Sequence, residues 1–174
     1  MKKAFFLFLF VAIGKLVSAQ YKPVDNGSTV QFKIKNLGFN TGGSFSGLSG
    51  VIKFDPQHVA DASFDIGLTA NSVNTENGMR DDHLRKPTYF DVQKYPQIKI
   101  VSDKITTSGK GYVFNGKLTI KDHTKGISFP FTAEPAEGGY RFKGSFSINR
   151  RDFEVGGSST ISDNLDVDLN VMAK

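Results

Sequence analysis

The chain has no cysteine and no tryptophan, and only three histidines among its 174 residues. Without a thiol it can form no disulfide, present no thiolate nucleophile and offer zinc no sulfur ligand. The same absence removes the cysteine that lipid acylation of an exported protein requires. His58, His83 and His123 show no metal-ligand spacing, so a metal site would have to gather its ligands from distant strands. A nucleophile elbow is missing too, because Gly43-Ser44-Phe45-Ser46-Gly47 puts phenylalanine where Gly-x-Ser-x-Gly needs serine. His83 beside Asp82 has the makings of a general base, but on a short polar helix such a histidine ordinarily packs or faces water. The glycines at 47, 50, 109 and 111 do not lead from a strand into a helix, so they mark turns and bulges and not a phosphate cradle. No enzyme activity and no cofactor are expected.

Long hydrophobic runs are scarce as well. The one candidate, Ala4 to Gly14, is interrupted by Lys15 and falls short of the ~20 residues a spanning helix needs. Lys2 and Lys3 precede it and Val17-Ser18-Ala19 follows, which is the pattern of a secretory signal peptide. Residues 1–19 are thus expected to be cleaved, leaving Gln20 as the new terminus of a soluble periplasmic or secreted protein with no stable membrane insertion. Three of the 22 basic residues lie in that leader, leaving 19 against 17 acidic ones. The basic pI of 9.3 therefore owes much to the leader, and nucleic acid is not an expected partner. The remaining 20–174 make a single domain that buries roughly two-thirds of its unfolded surface.

What the chain does have is alternation. Val30, Phe32 and Ile34 stand against Gln31, Lys33 and Lys35, and in a strand residues two apart share a face. The pattern returns at Phe64, Ile66 and Leu68; Tyr112, Phe114, Leu118 and Ile120; Ile127, Phe129 and Phe131; Tyr140, Phe142, Phe146 and Ile148; and Leu165, Val167, Leu169 and Val171. Strands are predicted at 28–36, 43–54, 62–71, 97–107, 111–122, 126–134, 139–149 and 160–172, with reversals at Gly109-Lys110-Gly111 and Glu137-Gly138-Gly139. Short connections favour an all-β fold, an antiparallel eight-stranded β-barrel closed on itself so that no edge is exposed. At that strand number the interior is either filled by side chains or just wide enough for one small ligand. A closed sandwich with a dry core has the same periodicity.

One segment departs from the period of two. From Thr75 to Lys86 the pattern predicts a short helix over about 76–86, capped by Thr75, supported by Asp81–Arg85 and Asp82–Lys86 pairs, and ended by Lys86-Pro87. Such a helix lies across a barrel wall or mouth, as a lid or a plain crossover.

This segment also carries a resemblance. Asn77-Gly78-Met79-Arg80-Asp81-Asp82-His83-Leu84-Arg85, then Tyr89-Phe90-Asp91-Val92 and Lys94-Tyr95-Pro96, resembles the signature of the YceI-like family of polyisoprenoid-binding periplasmic proteins. Gly116-Lys117-Leu118-Thr119-Ile120 with Thr124-Lys125, Ile148-Asn149-Arg150 with Asp152-Phe153, and Leu37-Gly38 extend it over the whole of 20–174. Asn36 stands where that family carries a histidine, Gly126 where a proline is common and Glu154 where a glycine is common, but no apolar wall position is lost. The missing tryptophan separates the chain from true lipocalins, whose first strand carries Gly-x-Trp. The resemblance implies a lipocalin-like barrel holding a long isoprenoid or similar lipid in its pore.

The expected function is accordingly non-covalent binding, storage or transport of one long apolar chain, an isoprenoid lipid or quinone-like amphiphile. About ten buried carbons supply a gross ~8 kcal/mol, the scale of a micromolar complex before ordering costs. Phe32, Ile34, Phe64, Ile66, Ile100, Phe114, Leu118, Phe129, Phe131, Phe142, Phe146 and Leu169 are the candidate wall. Phe90 and Tyr95 are placed nearest the mouth, and Arg80 and His83 are the head-group candidates. A periplasmic stress-response or interaction module with a dry core is the alternative, and a homodimer is compatible with either.

Overall fold

The computed structural model describes residues 19–158 and 160–174. The expected signal peptide, apart from Ala19, lies outside the described residues. Ten strands make one antiparallel sheet: β1 (Gln20–Tyr21), β2 (Pro23–Asn36), β3 (Phe39–Phe45), β4 (Ser49–Lys53), β5 (Ser63–Thr69), β6 (Gln97–Ser108), β7 (Gly111–Ile120), β8 (His123–Ala136), β9 (Gly139–Asn149) and β10 (Ile161–Ala173). Its spatial order is β1-β4-β5-β6-β7-β8-β9-β10-β2-β3, a curled sheet with β1 and β3 as its two end strands. The glycine reversals form two-residue hairpins, with Ser108 paired to Gly111 and Ala136 to Gly139. Gly109 and Gly138 adopt φ of +56° and +76°, the left-handed backbone such turns demand.

Ten strands replace the expected eight for two local reasons. The stretch expected as one strand at 43–54 breaks at residues 46–48, where the Asp25 carboxylate accepts the backbone N–H groups of Gly47 (3.1 Å) and Leu48 (3.0 Å). Gly47 has φ +75°, and a Cβ there would sit 2.2 Å from the Thr69 hydroxyl, so only glycine suits the break. The other addition is the short strand β1. Tyr21 pairs with Ile52 of β4, yet Lys22 exchanges backbone hydrogen bonds with Lys174 just beyond β10 (2.7 and 3.0 Å). One bend at Lys22 thus carries the chain from β1, at one end of the sheet, into β2, next to the strand at the other end.

Closure is not uniform along the seam. The outer edge of β3 meets no strand, and residues 70–75 cover it through a bridge between Ser44 and Asn74. Helix α1 (Gly78–Leu84) follows directly. It is shorter than predicted, and Asn77, not Thr75, is its cap, accepting the Arg80 N–H at 3.1 Å. Glu76 has φ +59°, outside helical space, which prevents an earlier start. Nor does Arg85 pair with Asp81; it meets Asp82 at 2.9 Å, because the Asp81 carboxylate is turned inward onto Thr75.

Two apolar clusters occupy the interior. At the end bearing β1 and the β8–β9 turn, Phe54, Phe64, Phe114, Phe129, Phe131 and Phe142 pack with Ile52, Ile105 and Ala173. Their rings meet edge to face or stacked, as in Phe64–Phe142 (5.3 Å between centroids) and Phe114–Phe129 (4.9 Å). At the opposite end, Ile98, Leu118, Ile120, Phe153 and Val155 pack beneath residues 87–96. Among the described residues no helix is long and apolar enough to cross a membrane.

Candidate functional site

Between the clusters the barrel is not filled. A cavity of about 230 Å³ is bordered by inward residues of β2 (Phe32, Ile34), β5 (Ile66, Leu68), β6 (Ile98, Ile100), β7 (Leu118, Ile120), β9 (Phe146, Ile148) and β10 (Leu165, Val167, Leu169). Arg80 and Leu84, four apart and therefore on one face of α1, complete it together with Tyr89 and Phe90. A second cavity of about 50 Å³ lies within the aromatic cluster, among Phe64, Phe114, Phe129, Phe131 and Phe142. The alternation of the strands explains both: every second side chain points inward, and the curled sheet encloses more width than these side chains fill.

The main cavity reaches the surface beside Arg80, which is exposed. Three of the exposed large apolar residues stand in the segments around that opening: Leu37 and Phe39 at the β2–β3 turn and Met79 in α1. Leu37 and Gly38 both have positive φ, which holds that turn tight and projects its apolar pair outward.

Polar groups at the mouth form a linked set. Thr75, buried, gives its N–H to Asp81 at 2.9 Å and its hydroxyl hydrogen to the same carboxylate oxygen. The Thr75 hydroxyl in turn accepts from Arg80 Nε (2.7 Å), and its carbonyl accepts from Arg80 Nη2 (2.6 Å). Hydrogen bonding from Thr75 holds the Asp81 carboxyl below the usual aspartate range, helped by the charges of Arg85 and Arg80. Arg80 is thereby fixed in direction, yet it makes no ion pair among the described residues. Gly43 permits this arrangement, since a Cβ there would fall 2.5 Å from the Phe32 ring and 2.8 Å from the Thr75 methyl.

A second cation, Arg150, also borders the cavity and is only 4% exposed. It donates to the carbonyls of Val155 and Gly156 (both 2.9 Å) and Ser162 (3.0 Å), and meets Asp163 at 3.0 Å. These bonds tie the connection between β9 and β10 into the cavity wall.

The candidate residues fall into three groups. Phe32, Ile34, Ile66, Phe90, Ile100, Leu118, Phe146 and Leu169 border the main cavity, as does Arg80. Phe64, Phe114, Phe129, Phe131 and Phe142 surround the smaller one. Tyr95 and His83 border neither. The Tyr95 hydroxyl donates to Asp122 at 2.8 Å, and Lys94 lies over its ring at 5.0 Å. His83 is exposed and stands edge-on to Tyr89 at 5.1 Å. Sequence reasoning passed over Thr75 and Arg150. Thr75 reads as a helix cap, and nothing in the local sequence distinguishes an arginine that will be buried from one that will face water. Among the described residues no cluster of three histidine, aspartate or glutamate side chains is placed to hold a metal ion.

The profile of the YceI-like domain matches residues 21–173. The chain belongs to the YceI-like family. A UPF0312 protein of Yersinia enterocolitica is 31% identical over 156 residues, spanning 84% of this chain and 81% of its own. Among solved structures, BcnA of Burkholderia cenocepacia superimposes with a TM-score of 0.79 at 28% identity, covering 84% of this chain and 96% of that one. A polyisoprenoid binding domain from Saccharophagus degradans, implicated in plant cell wall breakdown, shares the fold with a TM-score of 0.67 at 15% identity over 88% of this chain and 97% of its own. The YceI-like barrel of this chain is thus a lipocalin-like fold with ten strands.

Proposed function

We propose that this protein binds one isoprenoid or quinone-like amphiphile, tail inward, in the main cavity, and serves as its carrier or store without altering it chemically. The observation that carries the reading is an apolar void of about 230 Å³ that opens beside a fixed arginine. An apolar cavity of roughly 150 Å³ accommodates benzene, so this one encloses about nine carbons. At ~0.8 kcal/mol per buried CH₂ group, the enclosed tail supplies roughly 7 kcal/mol gross. The head then lies at the mouth, where Nη1 of Arg80 has no acceptor among the described residues and is available to an anionic or hydroxyl group. Exposed Leu37, Phe39 and Met79 give the chain an apolar approach to the opening. The polyisoprenoid-binding role of the Saccharophagus domain, on the same fold, supports the choice of ligand.

An interaction module with a dry core accounts for the aromatic cluster but gives no reason for the void above it. The signal-like leader adds the setting: an exported carrier shields an apolar lipid from the water of the periplasm or the medium. The test is organic extraction of protein purified from its native compartment, followed by mass spectrometry of the extract. One stoichiometric isoprenoid-like species is expected. A clean extract, together with no uptake of prenyl alcohols by the purified protein, overturns the reading.

A further inference from the structure

The two cavities lie end to end and share a wall. Ile66, Ile100, Leu169 and Val171 border both. Ile66 and Ile100 are directly paired on β5 and β6. Leu169 and Val171, two apart, share the inward face of β10, which stands on the opposite side of the curled sheet from β5 and β6. Two aliphatic pairs therefore meet across the barrel as a waist. Ile66, Ile100 and Leu169 pack against the aromatic cluster, yet remain only half-buried because their other side faces the large void.

We infer that this waist is the floor of the tail site and sets the chain length the protein accepts; the inference rests on the lipid-binding reading above. Below the waist the walls are rings in mutual contact, which yield poorly, whereas the waist itself is built of aliphatic side chains whose shortening removes no ring–ring contact. By the benzene comparison, the 50 Å³ below holds about two carbons. Truncating isoleucine to alanine at the waist frees the space of three more. Opening the waist thus lengthens the site by about five carbons, one isoprene unit.

The experiment is calorimetric titration of wild type, Ile100→Ala and Leu169→Phe with prenyl alcohols of one to four isoprene units. For wild type, affinity rises about fourfold per added carbon while the tail is being enclosed, then levels off at the floor. The levelling point is expected to move outward by one isoprene unit in Ile100→Ala and inward in Leu169→Phe, which adds bulk at the waist in place of removing it. Thermal melts establish that each variant is folded, and Leu169→Phe alone decides the matter if the cavity variant is not. Normal binding with one common levelling point overturns the waist while leaving lipid binding intact. Failure of wild type to bind any of the alcohols overturns both.

Discussion

Phe142 and Phe32 are both inward phenylalanines, but their surroundings differ. Phe142 meets the rings of Phe54 and Phe64 at 5.3 Å each in the close-packed end, whereas Phe32 meets Phe45 at 5.7 Å and otherwise borders the void. Phe142→Ala should cost ~3–5 kcal/mol of stability, and Phe32→Ala less than about half of that, since part of its surface has no packing to lose. Urea unfolding of the lipid-free protein measures both. Arg80 and His83, close in sequence, are likewise separated by geometry. Arg80→Ala should weaken an anionic isoprenoid about tenfold or more, the scale of one charge-assisted hydrogen bond, and leave the neutral alcohol of equal length nearly unchanged. His83→Ala should change neither, because the ring lies against Tyr89 outside the cavity. Equal loss for both lipids in Arg80→Ala would make that arginine structural.

Helix α1 is the element most dependent on one charge. Its seven residues are too few to be stable alone, and the Asp81 carboxylate moors it by accepting both the N–H and the hydroxyl of Thr75. Because the folded pKa is depressed below the unfolded value of about 3.9, this stabilisation is complete above that value and is lost as pH falls through the depressed folded value. Melting temperature should therefore drop more steeply below about pH 4 in wild type than in Asp81→Asn. Parallel slopes would show that the mooring does not depend on the charge. The helix was legible in the chain as a loss of the period of two ended by Lys86-Pro87. Its cap was not, since Thr75 and Asn77 are both good capping types and only the positive φ of Glu76 decides between them.

At the scale of the whole barrel, occupancy should appear as stability. A ligand at a hundred times its dissociation constant adds about 2.7 kcal/mol, and for a domain of this size that is a rise of roughly 5–10 °C in melting temperature. Differential scanning calorimetry with a saturating prenyl alcohol checks this. No rise despite measured binding would mean that the lipid attaches outside the folded interior.

The faces of the strands follow from local sequence alone. Every alternating run from Val30 to Val171 turns its apolar side inward, because side-chain direction in a strand is local geometry, and the glycine turns at 109 and 138 follow from their required φ. Strand number was decided by distant partners: Asp25 breaks the run at 46–48 from 22 residues away, and the chain bends at Lys22 because Tyr21 pairs with β4 while Lys22 bonds Lys174. Tertiary structure alone also divided one greasy wall into a packed end and an open one. Phe131 and Phe146 read identically in the chain, yet one packs among the rings of the closed end and the other borders the void. Whether an inward side chain meets another or leaves a gap depends on what the opposite wall brings to the same height, and that is a property of register and closure rather than of any residue's neighbours in sequence.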